Sequence, residues 1–446
     1  MISNEPIIRV GIMEHASEVH GLFNGPFDVG GVLCQGEFRV RSERENLVFS
    51  DANGKIIITG TAVDCHHADD APFTLDDVTI GIHFHWERRE RQTFQGDVRF
   101  VLRNDGTITV INIVSVEEYL ASVISSEMSA EAPMELLKAH AITSRSWLVA
   151  MLEREQRNVG VASLRSIEHE HEHEQEIIRW YDREDHDIFD VCADDHCQRY
   201  QGITKILSAR AVEAIDATRG TFLVFRDEIC DARFSKACGG LSEEFEYAWE
   251  KKKIPYLTTI SDAEIQHSPL TSERQAEEWI LGSPEAYCNT TDGKILKQIL
   301  PSFDQETTDF FRWTVEYRRE ELEELLRTKS GYDFGSLKNL VPLQRGTSGR
   351  IYRLRIEGSK ITMVVGKELE IRRWLSKSHL YSSAFVVEME RGSDGLPQRF
   401  ILRGAGWGHG VGLCQIGAAV MAAKGFKAEE IMRHYFKGAE LKKLYS

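Results

Sequence analysis

Residues 115–151 read Ser-Val-Glu-Glu-Tyr-Leu-Ala-Ser-Val-Ile-Ser-Ser-Glu-Met-Ser-Ala-Glu-Ala-Pro-Met-Glu-Leu-Leu-Lys-Ala-His-Ala-Ile-Thr-Ser-Arg-Ser-Trp-Leu-Val-Ala-Met. Ser115 and Glu118 have the spacing of a helix capping box, and apolar residues follow them at helical intervals. Pro133 then begins a second helix, because proline is tolerated in a first helical turn. The pattern predicts two helices, with the carboxylate of Glu127 at their junction.

Two basic residues lie on the predicted second helix. Lys138 and Arg145 are two turns apart in the sequence, which places both on one helix face. A carboxylate beside two cations is typical of a site for an anionic ligand. An alternative is that Glu127 caps the second helix and the cations form a solvated face, since charged helix faces are common in globular proteins. The pattern alone leaves both interpretations open.

The same segment resembles the signature of the stage II sporulation protein D and amidase-enhancer family. The matching residues are Tyr119, Leu120, Val123, Glu127, Met128, Pro133, Leu137, Lys138, Ala139, Ala141, Arg145 and Ser146. His140 stands where the family usually has Gln, and Trp147 stands where it usually has Tyr. The acid itself is retained, so the resemblance implies a functional role for Glu127.

Composition limits the function classes. The chain has 446 residues, enough for two or three domains, and its formal net charge of −16 argues against nucleic acid or an anionic membrane as the main partner. Eight cysteines in this length disfavour a disulfide framework. The sequence predicts no transmembrane segment, and it shows no export signal, which fits either a cytoplasmic chain or one trimmed of its leader.

The predicted fold class is α+β, in four regions. Residues 1–110 are predicted to be β-rich, with strands at Pro6 to Met13, Gly36 to Arg41, Lys55 to Thr61, Val78 to Trp86 and Thr93 to Leu102. Residues 111–262 form the predicted catalytic core, 263–395 a mixed α/β elaboration, and 396–446 a glycine-rich loop with a closing helix. Within the core, residues 153–185 are so charged that we expect an exposed insertion, with a metal-binding Glu/His tract as the alternative.

A His/Cys cluster occupies residues 186–197. His186, Cys192, His196 and Cys197 are residue types that bind Zn²⁺, and their spacing brings them onto one short loop. The alternative is a pair of ordinary buried thiols with a surface histidine. Some members of the resembled family bind zinc through such a set, which implies a structural or substrate-proximal ion. A zinc peptidase is disfavoured, because the chain has no His-Glu-x-x-His helix.

Three further segments resemble the family. Gln198, Tyr200 and Gly202 fit its Gln-x-Tyr-x-Gly run, and Phe234 to Gly240 resembles its Tyr-His-Ser-x-(Ser/Cys)-Gly-Gly loop. Arg403 to Ala418 closely resembles its Gly-x-Gly-Trp-Gly-His-Gly-Val-Gly signature. Such glycines let a backbone approach a ligand, or merely permit a tight turn. The resemblance implies that substrate contacts come from Lys138, Arg145, Gln198, Tyr200, Ser235, Cys238, Trp407, His409 and Gln415. A nucleophilic role for Cys238 is disfavoured, since no His–Asn partner signature accompanies it.

The resemblance implies a lytic transglycosylase, a lyase of peptidoglycan strands already stripped of stem peptides, acting in the cell envelope or periplasm. One acid, Glu127, would protonate the leaving oxygen and then deprotonate the sugar's own 6-hydroxyl, whereas a hydrolase needs a second carboxylate about 5 to 10 Å away. No matched second acid stands out in the sequence. We expect Lys138 and Arg145 to pair with the lactyl carboxylate of the substrate. The alternative is a silent glycan-binding module that stimulates a cell-wall amidase.

Overall fold

Strands fill the N-terminal region of the protein in the computed structural model, which describes residues 2–81, 87–129, 132–157, 166–171, 174–180, 186–194, 197–206, 209–299, 309–393 and 395–446. The strands before the first helix, β1 to β10, are Ile7–Ala16, Glu18–Val29, Val32–Glu43, Asn46–Asp51, Ile56–Gly60, Ala62–His67, Phe73–Ile80, Arg88–Phe94, Asp97–Leu102 and Ile108–Ser115. The predicted β-rich segment is therefore confirmed. Residues 82–86 of one predicted strand lie outside the described residues.

Helices and short strands alternate along the rest of the chain. From residue 116 to 248 the elements are α1 (Val116–Glu127), α2 (Met134–Arg157), β11 (Ser166–His171), β12 (Glu174–Arg179), β13 (Val191–Cys192), a 3-10 turn (Gly202–Lys205), α3 (Ala209–Ala217), β14 (Thr221–Phe225), β15 (Glu228–Ile229), β16 (Phe234–Ser235) and α4 (Phe245–Ala248). They continue with α5 (Glu273–Leu281), α6 (Gly293–Ile299), β17 (Arg312–Arg318), α7 (Arg319–Ser330), β18 (Leu337–Arg345), β19 (Ile351–Gly358), β20 (Thr362–Gly366) and α8 (Glu368–Trp374). The last are β21 (Phe385–Arg391), β22 (Pro397–Ala405), β23 (Leu413–Cys414), α9 (Gln415–Ala423), α10 (Ala428–Tyr435) and β24 (Glu440–Lys443). This mixture confirms the α+β class.

The chain divides into two compact units. Unit 1 comprises residues 1–132, 183–221 and 443–446, and unit 2 comprises residues 133–182 and 222–442. In unit 1, described strands form one large sheet in the order β13-β1-β10-β9-β6-β2-β3-β4-β5, with β7 pairing with β2 and β8 with β7. Stacked aromatic rings fill its core, including Phe23 against Phe27 at 4.2 Å and Phe73 against Phe94 at 5.4 Å between centroids.

Helix α1 follows the large sheet directly in unit 1. The side chain of Ser115 caps it by accepting a hydrogen bond from the backbone N–H of Glu118 at 3.3 Å. Its apolar residues, including Tyr119 and Leu120, are completely buried, which supports the helix through packing as well as capping. Glu127 is the last residue of α1. The predicted helix, its cap and the position of the acid are confirmed.

Unit 2 holds a sheet in the order β11-β12-β20-β19-β18. Strand β12 runs parallel to β20, with Ile177 opposite Val365, and Ile177 is buried in the unit 2 core. Within residues 153–185, which were predicted to form an exposed insertion, a short apolar run in the charged tract thus provides a strand, β12, that pairs with β20 and buries Ile177. Residues 158–165, 172–173 and 181–185 lie outside the described residues.

A two-stranded pairing in unit 2 joins the two glycine-rich segments. Strands β16 and β23 are parallel, with Phe234 opposite Leu413 and Ser235 opposite Cys414. The backbones of Ala237 and Trp407 also exchange two hydrogen bonds, at 3.1 and 2.7 Å. Segments more than 150 residues apart in the sequence are thus held side by side. Among the described residues, no helix has the length and apolar character needed to cross a membrane.

Candidate functional site

Glu127 is the acid around which the unit 1 site is built. Its side chain is half-buried at the end of α1. The carboxylate Oε1 accepts a hydrogen bond from the backbone N–H of Arg199 at 3.4 Å. A loop that follows the His/Cys cluster therefore lies against the acid. This placement keeps the carboxylate partly exposed and fixed from one side, as an acid that must meet a ligand requires.

Buried polar atoms without partners accumulate near Glu127. Among the described residues, the hydroxyls of Tyr119 and Ser126 and both amide atoms of Gln198 have no hydrogen-bond partner. Ser126 precedes the acid, Gln198 precedes Arg199, and Tyr119 lies within electrostatic range of Glu127. Buried polar groups in folded proteins are normally paired, and each that is not costs about 1–3 kcal/mol. Such a concentration is typical of a site arranged for a ligand rather than for stability.

The predicted zinc cluster is assembled beside this acid. Ligand atoms of His186, Cys192 and Cys197 lie within 4.8 Å of one another, and His186 Nε2 is 3.5 Å from Cys197 Sγ. Strand β13 carries Cys192 to the sheet edge, where it lies opposite Gly11 of β1. One imidazole and two thiols suit Zn²⁺, so the residues present fit the metal. His196 lies outside the described residues, and zinc itself stays a prediction.

Tyr200 is part of the unit 1 core. Its side chain is 2 % exposed, its ring stacks on that of Tyr119 at 5.0 Å, and its hydroxyl donates to Asn112 Oδ1 at 2.5 Å. Burial, followed by the nearby charge of Glu118, raises the pKa of this phenol. The predicted contact of Tyr200 with substrate is therefore corrected. The buried side chain packs against Tyr119 instead.

Lys138 and Arg145 of α2 do not form a shared exposed stripe. Lys138 Nζ lies 3.0 Å from Glu135 Oε1 with its side chain 28 % exposed, whereas Arg145 is completely buried. Although burial opposes it, hydrogen bonds from the Ala428 backbone and from Lys138 lower the pKa of Glu135. Arg145 therefore has no surface exposed to solvent in this structure, and its predicted contact with an anionic ligand stays a prediction.

His140 and Gln415 form a buried polar pair inside unit 2. The amide Nε2 of Gln415 lies 3.0 Å from His140 Nε2, and Nδ1 of the same ring lies 3.3 Å from Ser144 Oγ. A proton on Nδ1 satisfies both contacts, since the ring then accepts from Gln415 and donates to Ser144. Gln415 is 5 % exposed. The predicted substrate contact of Gln415 is thus corrected to a link between α2 and α9.

The Trp407–His409 loop presents an aromatic surface. The partly exposed ring of Trp407 packs against Tyr381 and Phe310, at 4.4 and 4.8 Å between centroids. Next to Gly408 lies Ser235, whose buried hydroxyl has no partner among the described residues. An aromatic face beside an unpaired hydroxyl is chemically suited to a sugar, which offers C–H bonds to the ring and O–H groups to the serine.

His409 is held in its neutral form. Its Nδ1 accepts a hydrogen bond from the backbone N–H of Val411 at 3.0 Å, and its ring lies 4.8 Å from that of Trp249. Burial, followed by the charges of Arg233 and Arg350, lowers the pKa of His409 well below its usual range. His409 therefore serves as a hydrogen-bonding group rather than as a cation near neutral pH.

A buried arginine that was not predicted from the sequence connects the two loops. Arg350 is 1 % exposed and donates hydrogen bonds to the carbonyl oxygens of Cys238 at 3.0 Å and Gly408 at 3.1 Å. Ser348, two residues earlier, donates to the buried carboxylate of Glu243 at 2.7 Å. The only sequence signal was a Ser-Gly-Arg turn, a pattern too common to indicate such a role.

Cys238 faces the interior. It is 3 % exposed, and its Sγ lies 3.8 Å from that of Cys288. Burial raises the pKa of this thiol well above its usual value. The predicted substrate contact of Cys238 is therefore corrected. The side chain points away from solvent, and a thiol of raised pKa is a poor nucleophile.

Comparison with known proteins agrees with these features. The family model described as Stage II sporulation protein matches residues 104–225, and that of a domain of unknown function, DUF8618, matches residues 243–412. Stage II sporulation protein D of Bacillus amyloliquefaciens is 24% identical over 330 residues, which is 74% of each chain. The protein of the same name from Bacillus subtilis is 22% identical over 333 residues, again 74% of each. An uncharacterized protein of Brachyspira hyodysenteriae is 24% identical over 349 residues, 78% of this chain and 72% of the relative.

The stage II sporulation match covers the last strand of the N-terminal sheet, α1 with Glu127, α2 and the His/Cys cluster. The match includes the helical segment whose residues resemble the family signature, while the glycine-rich segments at 234–240 and 403–418 lie outside it. The resemblance to the stage II sporulation protein D family is therefore confirmed by the family model over residues 104–225 and by two relatives of that name.

Proposed function

We propose that this protein is a cell-wall enzyme, a lytic transglycosylase that cleaves the N-acetylmuramyl–N-acetylglucosamine bond of peptidoglycan strands, with Glu127 as both acid and base. Similarity to the stage II sporulation protein D family supports the cell-wall role. The observation that carries the chemical assignment is the half-buried carboxylate of Glu127 beside buried polar atoms that lack partners among the described residues. An enzyme with this substrate would act in the cell envelope or periplasm.

One carboxylic acid is sufficient for this reaction. Protonated Glu127 gives its proton to the glycosidic oxygen, and the N-acetylglucosamine end leaves as an alcohol. The resulting carboxylate takes the proton of the muramyl 6-hydroxyl, whose oxygen attacks the anomeric carbon. The bond from that carbon to the leaving oxygen breaks, a bond to O6 forms, and Glu127 regains its proton. The product is a 1,6-anhydro-muramyl end, and no water is consumed.

Residues around the acid have supporting roles in this proposal. Gln198 supplies a buried amide to a hydroxyl or acetamido group, since both of its polar atoms are unpaired among the described residues. His186, Cys192 and Cys197 would hold zinc, which when bound supplies a rigid crosslink. That crosslink would fix the loop whose Arg199 N–H contacts Glu127.

Unit 2, considered by itself, carries residues that suit a sugar. Trp407 offers an aromatic face to a sugar ring, and Ser235 offers a hydroxyl without a partner among the described residues. Lys138 keeps part of its side chain exposed, so its contact with an anionic group of a glycan stays part of the proposal.

The test is a comparison of three proteins on purified peptide-free glycan strands. Wild type and Glu118→Gln, a control on an exposed position of the same helix, should both release anhydro-muramyl ends. Glu127→Gln should release none while still co-sedimenting with the strands. If all three bind strands and form no ends, while a cell-wall amidase works faster in their presence, the enzymatic proposal fails and the protein is an amidase enhancer.

A further inference from the structure

A second cluster of metal-binding side chains lies in unit 2, away from the predicted zinc residues in the sequence. It consists of Cys238, Asp262, Cys288 and Cys414, whose ligand atoms all lie within 4.8 Å of one another. All four residues are at most 3 % exposed. They come from four separate segments, the loop after β16, the loops before α5 and α6, and the start of α9.

The sulfur spacing fits a tetrahedral ion. Cys238 Sγ and Cys288 Sγ are 3.8 Å apart. Two thiolates at a Zn–S distance of about 2.3 Å, separated by the tetrahedral angle, are about 3.8 Å apart. A disulfide would require about 2.05 Å instead. The pair is thus placed for a shared ligand rather than for a covalent bond.

Cys414 is positioned as a thiolate. It is the N-cap residue of α9, where unpaired backbone N–H groups favour a negative charge. Its sulfur accepts a hydrogen bond from the backbone N–H of Cys238 at 3.3 Å and another from that of Gly417. Backbone donors aimed at a buried sulfur are the outer contacts that orient metal-binding thiolates.

The carboxylate of Asp262 is oriented by its neighbours. Its Oδ1 accepts from the hydroxyl of Tyr435 at 2.5 Å, and its Oδ2 accepts from the backbone N–H of Cys288 at 2.9 Å. The glycine at position 417 leaves room for it, since a Cβ there would collide with the carboxylate. Asp262 and the three thiols thus lie together in a dry interior, where a metal cation would be a favourable shared partner.

The neighbouring arginine does not supply that partner. Arg312 is within electrostatic range of Cys238 and Cys288. Its guanidinium instead donates to the backbone carbonyl oxygens of Gly239, Trp279, Gly282 and Phe311, at 2.8 to 3.2 Å. Arg350, which is also within electrostatic range of Cys238, donates to the backbone carbonyl oxygens of Cys238 and Gly408 in the same way, so these hydrogen bonds of both guanidinium groups go to the backbone rather than to the ligand atoms of the cluster.

We propose that Cys238, Asp262, Cys288 and Cys414 form a second metal site, a closed structural site for Zn²⁺ with three sulfur ligands and one oxygen ligand. Four protein ligands leave no open position for water, so the ion is structural rather than catalytic. The position of this site indicates what the bound ion would stabilise. Cys238 adjoins the Gly239-Gly240 turn and Cys414 ends the Trp407 loop, so one ion fixes both glycine-rich segments.

The experiment separates this site from the His186 cluster by removing the latter. Full-length Cys192→Ser/Cys197→Ser protein, purified with zinc present and then gel-filtered, should retain about one zinc ion per chain by elemental analysis. Adding Cys414→Ser and Asp262→Asn to that background should abolish the retained zinc. Cobalt loaded in place of zinc should give the near-ultraviolet charge-transfer absorption of thiolate ligands.

A second measurement covers the case in which the quadruple variant does not fold. An organomercurial titrated into the folded Cys192→Ser/Cys197→Ser protein should release the zinc to a coloured chelator as the buried thiols react. The proposal is overturned if this protein holds no zinc after incubation with the metal. It is equally overturned if peptide mass spectrometry finds Cys238 and Cys288 joined in a disulfide. Neither readout depends on glycan cleavage, so the outcome is independent of the role of Glu127.

Discussion

Several polar groups near Glu127 are buried without hydrogen-bond partners among the described residues, whereas the buried polar groups of a stable core are normally paired. Tyr119, Ser126 and Gln198 keep buried polar atoms without partners among the described residues, although each could have been replaced by an apolar residue of similar size. Unpaired polar groups are retained where function requires them, because stability alone selects against them. The pattern favours a site prepared for the hydroxyl and amide groups of a sugar.

Gln198 provides the sharpest test of this interpretation. Replacing it with Leu removes the unpaired amide and keeps an apolar side chain of similar volume, so we expect the free energy of unfolding to stay level or rise by about 1–3 kcal/mol. Binding of glycan strands should weaken at the same time. Urea unfolding and strand co-sedimentation measure the two effects. A Gln198→Leu protein that loses stability but binds normally would show that the amide is structural.

His409 should make the folded state sensitive to acid. Burial, with Arg233 and Arg350 nearby, lowers its pKa in the folded state well below the ordinary value near 6.5 that applies to the unfolded chain. Below pH 6.5 the unfolded chain therefore binds a proton that the folded chain does not, and the free energy of unfolding falls as the pH decreases. Above that pH the contribution is constant.

The matched variant is His409→Gln, whose amide can still accept from Val411. Chemical unfolding at pH 7.5 and pH 5 should show a smaller loss of stability on acidification in the variant than in wild type. Equal losses in both proteins would mean that His409 already carries its proton when folded.

Among the secondary-structure elements, those with strong local signals were predicted well. Helix α1 has a capping box and a continuous apolar face, and it begins and ends as expected. Strand β2 was missed, because Gly21, Gly25 and Pro26 interrupt its pattern, and only pairing with β3 and β7 makes it a strand. Strand β12 was missed for a related reason, since its two adjacent isoleucines are flanked by Glu and His residues that are not typical of a strand.

Helix α9 gives an element-level prediction, because it contains a glycine where alanine would normally be better. In an ordinary helix Gly→Ala stabilises by up to about 1 kcal/mol. At Gly417 the new Cβ would collide with the Asp262 carboxylate and the Tyr435 hydroxyl. We expect Gly417→Ala to lower the free energy of unfolding by about 1–3 kcal/mol.

Gly293→Ala in α6 is the control, since the described residues leave open space around it. It should be neutral or slightly stabilising in the same urea titration. A Gly417→Ala protein as stable as this control would show that Asp262 is not confined by α9.

Across the whole molecule, functional residues within a contiguous motif could be predicted from the sequence. Residues that meet only through long-range contacts could not. The acid, the His/Cys loop and both glycine-rich segments are each contiguous, so a motif could indicate them. The cluster of Cys238, Asp262, Cys288 and Cys414 is assembled from four distant segments, and only the fold brings its ligands together. The burial of Arg145 could not be predicted either, because a helical pattern does not reveal which helix face packs against other elements.

The most direct measurement of the central claim is product analysis in ¹⁸O-labelled water. Wild-type protein is incubated with peptide-free glycan strands, and the new ends are examined by mass spectrometry, with Glu127→Gln treated in parallel. We predict anhydro-muramyl ends that contain no ¹⁸O in wild type and no new ends in the variant, because Glu127 makes the sugar's own hydroxyl attack. Reducing ends that carry ¹⁸O, or undiminished cleavage by Glu127→Gln, would contradict the account.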